Sequence, residues 1–203
     1  MMRTEWTPQD LSGHDFYKLM TAVVVPRPIA WVSTTSADGV DNLAPHSFFT
    51  VSCVEPPIVQ FTSVRRKDSL INAEETGEFV VNLAPEWLQE QVNASGTPYP
   101  PHTSEFDELG VEREAASLVA PPRVAGSPAA LECELHSTLR LGNSTVVFGR
   151  VVNAAVDEAA LTAGGHPDVE LLRPLARLGR NEWSTVGEVR AIDRIPYLPD
   201  RRE

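Results

Sequence analysis

Cysteine is scarce in this chain of 203 residues: only Cys53 and Cys133 are present, far apart. No CxxC pair exists, which excludes the common zinc and dithiol redox motifs. Positive charge is also short, with 17 Lys and Arg against 28 Asp and Glu and a formal net charge of −11. A broad nucleic-acid or anionic-membrane surface is therefore not expected, and an anionic ligand must be held by local donors. No apolar run approaches the roughly eighteen residues of a membrane-spanning helix, and no secretion leader is visible, so a soluble, cytoplasmic protein is expected. GxGxxG and GxxxxGK[ST] are both missing, which removes the usual glycine-rich phosphate loops. The histidines show no metal spacing with one another or with Asp and Glu, and no metal site is expected.

What is present, 42% hydrophobic and 22% charged residues, suits one well-buried domain spanning residues 1–203. Seventeen prolines favour short strands and ordered loops over long helices. A short helix is expected over residues 11–20. Residues 28–35 read as a strand, with Ile29, Trp31 and Ser33 on one face and Ala30, Val32 and Thr34 on the other. Asp38-Gly39 signals a hairpin turn. A second strand starts near Val40, is extended through residues 47–54, and stops at Pro56-Pro57; residues 58–62 form the next.

Lys67-Asp68-Ser69 opens a helix of about two turns, with Asp68 or Ser69 as its cap and Gly77 just past its end. Residues 79–83 are strand-like, and Pro85 suits the first turn of a helix through Val92. Residues 95–128 lack a period and read as an excursion over the surface. Alternation returns at Leu131, Cys133, Leu135, Leu139 and Leu141, with Glu132, Glu134, His136 and Arg140 turned the other way. Gly142-Asn143-Ser144 then leads into a strand over 145–154. Hairpin-joined strands with few helices point to an antiparallel barrel or sandwich.

Several segments occur in an order and spacing that resemble a known family. They are Pro26-Arg27-Pro28-Ile29-Ala30-Trp31-Val32-Ser33-Thr34, Asn42-Leu43-Ala44-Pro45-His46-Ser47-Phe48-Phe49, the Pro56-Pro57 pair, Lys67-Asp68-Ser69, Thr76-Gly77-Glu78-Phe79-Val80-Val81-Asn82 and Pro174-Leu175-Ala176-Arg177-Leu178-Gly179. Together they resemble the flavin reductase-like proteins, nearest to the flavoredoxin-like branch. The resemblance implies a mainly β fold, a Greek-key-like split β-barrel with a few peripheral short helices. It implies FMN as cofactor and a homodimer with flavin sites near the subunit interface. The implied activity passes hydride or electrons from NADH or NADPH through FMN to a flavin or another acceptor. Many two-component reductases of the family carry Gly-Asp-His, associated with nicotinamide handling, where this chain has Gly142-Asn143-Ser144. An FMN-binding electron carrier with little NAD(P)H turnover is the alternative, and a related barrel holding pyridoxal phosphate or haem a third.

The phosphate of FMN needs convergent donors, and Ser63, Arg65, Lys67 and Ser69 lie between a strand end and a helix start, where such donors meet. Backbone groups of Ala44, Pro45, His46, Ser47 and Phe48, with the side chains of Asn42 and Ser47, are expected to read the polar edge of the isoalloxazine. Phe49 is expected in the core. Trp31 is either core or a stacking residue, and Arg27 either an ion-pair residue or a phosphate donor. Arg177 and Trp183 either lie near a flavin, that of the partner included, or are a surface arginine and a buried tryptophan. Neighbouring strand residues face opposite ways, so His46 and Ser47 do not form a nucleophile–base pair. Flavin chemistry demands no side-chain acid or base, and no catalytic residue is assigned.

Overall fold

The computed structural model describes residues 1–100 and 102–197. Pro101, inside the expected excursion, and residues 198–203 of the expected domain lie outside them. Seven strands form one antiparallel sheet: β1 (Ala30–Thr35), β2 (Asp41–His46), β3 (Phe49–Cys53), β4 (Ile58–Val64), β5 (Glu78–Leu83), β6 (Ala129–Leu141) and β7 (Ser144–Val156). Their spatial order is β2-β1-β5-β6-β7-β4-β3. The β1–β2 hairpin turns at Asp38-Gly39 as expected, Gly39 taking a φ of 82° that glycine adopts without steric cost.

Residues 47–54 do not extend the second strand. The chain bends at Ser47 and Phe48 and re-enters at the opposite edge of the sheet as β3. The three residue steps from His46 to Phe49 reach about 11 Å at most, whereas the edges of a flat seven-stranded sheet lie roughly 28 Å apart. The sheet therefore has to curl, and it does so as the expected split barrel. The Thr62 N–H, on β4, donates to the Phe48 carbonyl at 2.9 Å, carrying the β3–β4 ladder one pair into the bend, and His46 Nδ1 of β2 lies 3.4 Å from the Thr62 carbonyl across the seam. Register shifts between Phe148 and Gly149 and between Val151 and Asn153 add the local twist that curling requires.

Five α-helices are peripheral: α1 (Gly13–Val23), α2 (Asp68–Thr76), α3 (Gln89–Ala94), α4 (Glu105–Glu108) and α5 (Val169–Leu172). α1 starts two residues later than expected, behind Ser12, whose hydroxyl accepts the Asp15 N–H. α2 ends where expected, Gly77 adopting a left-handed conformation and donating its N–H to the Ala73 carbonyl. Its start differs. Lys67 occupies the cap position without a side-chain hydrogen bond, Asp68 is already helical, and Ser69 is buried.

Alternation along β1 divides the core. Ala30 and Val32 join Phe61, Leu70, Ala73, Phe79 and Val147 inside the barrel. Ile29 and Trp31 face outward, into a second cluster with Leu43, Val92, Phe106, Val124 and Leu175. Residues 95–128 are thus more than a surface excursion, since Phe106, Val111 and Val124 are buried beneath them. The same cover buries Glu132 completely, although β6 turns it away from the leucine face. Its carboxylate accepts the Ser117 and Leu118 N–H groups at 2.9 and 2.7 Å, the Asn153 amide at 3.0 Å, and the Arg123 guanidinium. Burial opposes its ionisation, but these donors outweigh it and hold the carboxyl at about 2.

At the far end of β6, Leu139 and Leu141 are more than half exposed. β5 pairs with β6 only as far as Glu134, so the end of β6 has one free edge, whereas β7 stays paired with β4 as far as Ser144 and Val64. Gly149 sits where the hairpin crosses the core: a Cβ there would lie 2.2 Å from the Phe79 ring and 3.0 Å from Cys133. Gly149→Ala is expected to destabilise the protein by about 1–3 kcal/mol, the usual cost of overpacking, as measured by urea unfolding. Phe79→Leu in the same chain should return part of that loss.

Candidate functional site

The bend that closes the barrel also builds a cleft. Its volume is about 450 Å³, and it is lined by Ile29, Pro45, Ser47, Val92, Asn93, Gly96, Thr97, Arg177 and Trp183. No carboxylate faces it. Ser47 and Phe48 have left the strand, so the Ser47 side chain borders the cleft while its neighbour His46 points into the barrel. Ala44 is half-buried within β2, and the Phe48 ring meets Tyr17 edge-on at 6.3 Å.

Asn93, Gly96 and Thr97 were not anticipated. Asn93 lies in the last turn of α3, and Gly96 and Thr97 follow it, in the segment without a period. Their placement depends on Trp31, whose indole N–H donates to the Ser95 hydroxyl at 2.9 Å. Trp31 is fully buried, so it anchors the cleft loop and offers no ring face to a ligand. Arg27 makes no ion pair among the described residues. Its guanidinium is buried and donates to the carbonyls of Thr21, Val24 and Leu178, joining the end of α1 to the segment that carries Arg177. Arg177 pairs with Arg27 in a short antiparallel ribbon and lies over the Trp183 ring, 4.5 Å from its centre.

The loop between β4 and α2 is basic. Arg65 and Lys67 are exposed there, and α2 begins without a side-chain hydrogen bond at its cap, with the Asp68 carboxylate in its first turn. Ser63 and Ser69 do not join them. The Ser63 hydroxyl donates to the Arg65 carbonyl at 2.9 Å, and the Ser69 hydroxyl donates to Asn42 Oδ1 at 3.1 Å inside the barrel.

Asn42 and His46 belong to the same internal chain of hydrogen bonds. His46 Nε2 lies 3.2 Å from the Ser69 hydroxyl and Nδ1 lies 3.4 Å from the Thr62 carbonyl. The Asn42 amide donates to both oxygens of Glu105 at 2.9 and 2.8 Å, and the Leu43 N–H donates to one of them. Asn72 donates to Thr34 alongside. Three residues nominated for direct cofactor contact thus tie β2 to β4, α2 and α4, behind the cleft wall. Buried polar groups satisfied in this way fix one arrangement, because any single deletion leaves its partner unpaired. Among the described residues, no three His, Cys, Asp or Glu side chains converge as metal ligands.

Burial pushes the His46 imidazole down to about 4, assisted by the charge of Lys67 and opposed by the Thr62 carbonyl. A depressed histidine folds neutral, so its contribution is complete above its ordinary pKa of about 6.5 and is lost as pH falls toward 4. That amounts to about 3 kcal/mol. Burial raises Glu105, which acts in the opposite sense over part of this range. The effect of His46 is therefore isolated by difference: urea unfolding between pH 7 and 4 should weaken wild type by about 3 kcal/mol more than His46→Gln.

Residues 20–175 match the family described as flavin reductase like domain. A protein of Halalkalibacterium halodurans is 37% identical over 207 residues, covering 97% of this chain and 98% of that one. Nitrilotriacetate monooxygenase component B from Bacillus cereus superposes with a TM-score of 0.91 at 29% identity, over 95% of this chain and 100% of the other. The 2-nitrobenzoate 2-nitroreductase of Pseudomonas fluorescens gives 0.89 at 28%, over 98% and 100%. A barrel closed at Ser47, a carboxylate-free cleft beside that bend and a family match across most of the length agree: the chain belongs to the flavin reductase-like family.

Proposed function

We propose that this chain is an FMN-binding oxidoreductase, a homodimer of the cytoplasm, that takes reducing equivalents from NADH or NADPH and delivers them to a flavin or another acceptor. The observation that carries this reading is the 450 Å³ cleft with no carboxylate among its described lining residues, together with a basic loop that follows β4 and opens α2. Ser47–Phe48 is hydrogen-bonded to Thr62, three residues before Arg65, a strand length of about 10 Å. A ligand with a flat polar ring at one end and a phosphate at the other suits that layout.

Pro45, Ile29 and Val92 supply apolar walls for a flat ring, while Ser47, Asn93 and Thr97 supply hydrogen-bonding groups at its polar edge. Lys67 and Arg65 are the exposed cations for a phosphate, and each charge-assisted bond contributes about 1.5–3 kcal/mol. Bound FMN would supply the hydride acceptance and electron transfer; the chain binds it, orients it and sets its surroundings. Val51, Val54, Leu139 and Leu141 lie exposed on the single chain, apolar surface that a second copy would cover.

A resident electron carrier with slow nicotinamide turnover is the second reading, favoured by Gly142-Asn143-Ser144 in the late hairpin. Titration of FMN, followed by quenching of flavin fluorescence, is expected to show saturable binding, and Lys67→Ala to weaken it about tenfold. A protein that never binds FMN contradicts the proposal. With FMN bound, rapid oxidation of NADH or NADPH supports the oxidoreductase, and its absence selects the carrier.

A further inference from the structure

Arg27 and Arg177 stand directly opposite one another in the short antiparallel ribbon. Side chains paired in this way start about 5 Å apart, and like charges so placed are destabilising. Neither guanidinium has a carboxylate partner among the described residues, although the chain carries a net charge of −11. Arg177 lines the cleft, donates to the Arg180 carbonyl at 2.6 Å and lies over the Trp183 ring. None of these contacts neutralises it.

Arg27 is the more costly of the two. It is 7% exposed, its terminal nitrogens are taken up by the carbonyls of Thr21, Val24 and Leu178, and its Nε is buried with no hydrogen-bond partner. Burial pushes the guanidinium down from its ordinary value; Tyr17 opposes that, and the charge of Arg177 adds to it. An arginine nevertheless stays charged at working pH, and an unpaired buried charge is expensive to keep. Ile29, two residues along the chain and roughly 7 Å away by strand length, lines the cleft. Two uncompensated cations therefore bear on one cleft, which has no carboxylate among its described lining residues.

We propose that Arg27 and Arg177 hold this cleft at positive potential and so stabilise the negative charge that a flavin ring gains on reduction. Accepting a hydride adds two electrons and one proton, so the reduced ring carries one more negative charge than the oxidised ring. Fixed cations in a poorly solvated site favour the more negative form and raise the reduction potential. Arg177 acts from the cleft wall; Arg27 acts by its charge alone, without touching the ring. The inference rests on the flavin reading and adds to it how the chain sets the potential of the bound cofactor.

The test uses the full chain loaded with FMN, as wild type, Arg177→Met, Arg27→Gln and Arg27→Lys, the last of which keeps the charge. The two-electron midpoint potential is measured against a reference dye. Sulfite, whose addition to the oxidised ring also leaves it more negative, is titrated by the loss of flavin absorbance. Arg177→Met and Arg27→Gln are expected to bind sulfite about tenfold more weakly and to lower the midpoint by about 30 mV, a tenfold change in a two-electron equilibrium. Arg27→Lys is expected to keep the wild-type values. Unchanged potential and sulfite affinity in both uncharged variants overturn the proposal, as does an Arg27→Lys shift equal to that of Arg27→Gln, which marks a purely structural role. If Arg27→Gln does not fold, Arg177→Met alone decides. Wild type that binds no FMN removes the flavin reading and this inference with it, whereas FMN bound at an unaltered potential in the variants removes this inference alone.

Discussion

The shortness of one link governs this molecule. β2 and β3 are opposite edges of a single sheet, yet only Ser47 and Phe48 separate them. That constraint curls the sheet and places His46 inside the barrel and Ser47 outside it, beside the cleft. His46 of β2 meets the Thr62 carbonyl of β4 across the seam, and α2 packs Leu70 and Ala73 into the interior. The chain that leaves the seam along β4 then runs directly into Arg65 and Lys67. Closing the barrel and setting out the two ends of the proposed site are thus one structural act.

Two buried carboxylates hold the outer layer onto this barrel, by opposite electrostatics. Glu132 stays ionised because five donors surround it, and it fastens residues 117–123 over the outer face. Glu105 has fewer donors and is raised by its burial, yet it joins α4 to Asn42 and Leu43. The cleft wall contributed by Asn93, Gly96 and Thr97 is positioned between these anchors by the Trp31–Ser95 bond. Residues far from any ligand therefore set where cleft residues stand.

Much of this was legible in the sequence where local rules are strong. The period-2 pattern of residues 28–35 assigned Trp31 and Ala30 to opposite faces correctly, and Asp38-Gly39 and Gly77 announced their turn and helix end. Direction of side chains was not legible. Ser69 reads as a cap or phosphate donor, but its hydroxyl finds Asn42 and His46, partners that exist only once the barrel closes. Glu132 reads only as turned away from the leucines, because its cover comes from another part of the chain. Gly96 and Thr97 carry no period at all, since loops are specified by their anchors.

Amide hydrogen exchange with and without FMN tests the central claim, that the bend at Ser47 and the loop before α2 hold the two ends of one flavin. Protection on adding FMN is expected in residues 45–48, 64–69 and 93–97 together. Protection confined to other segments, or none at saturating FMN, would contradict the account.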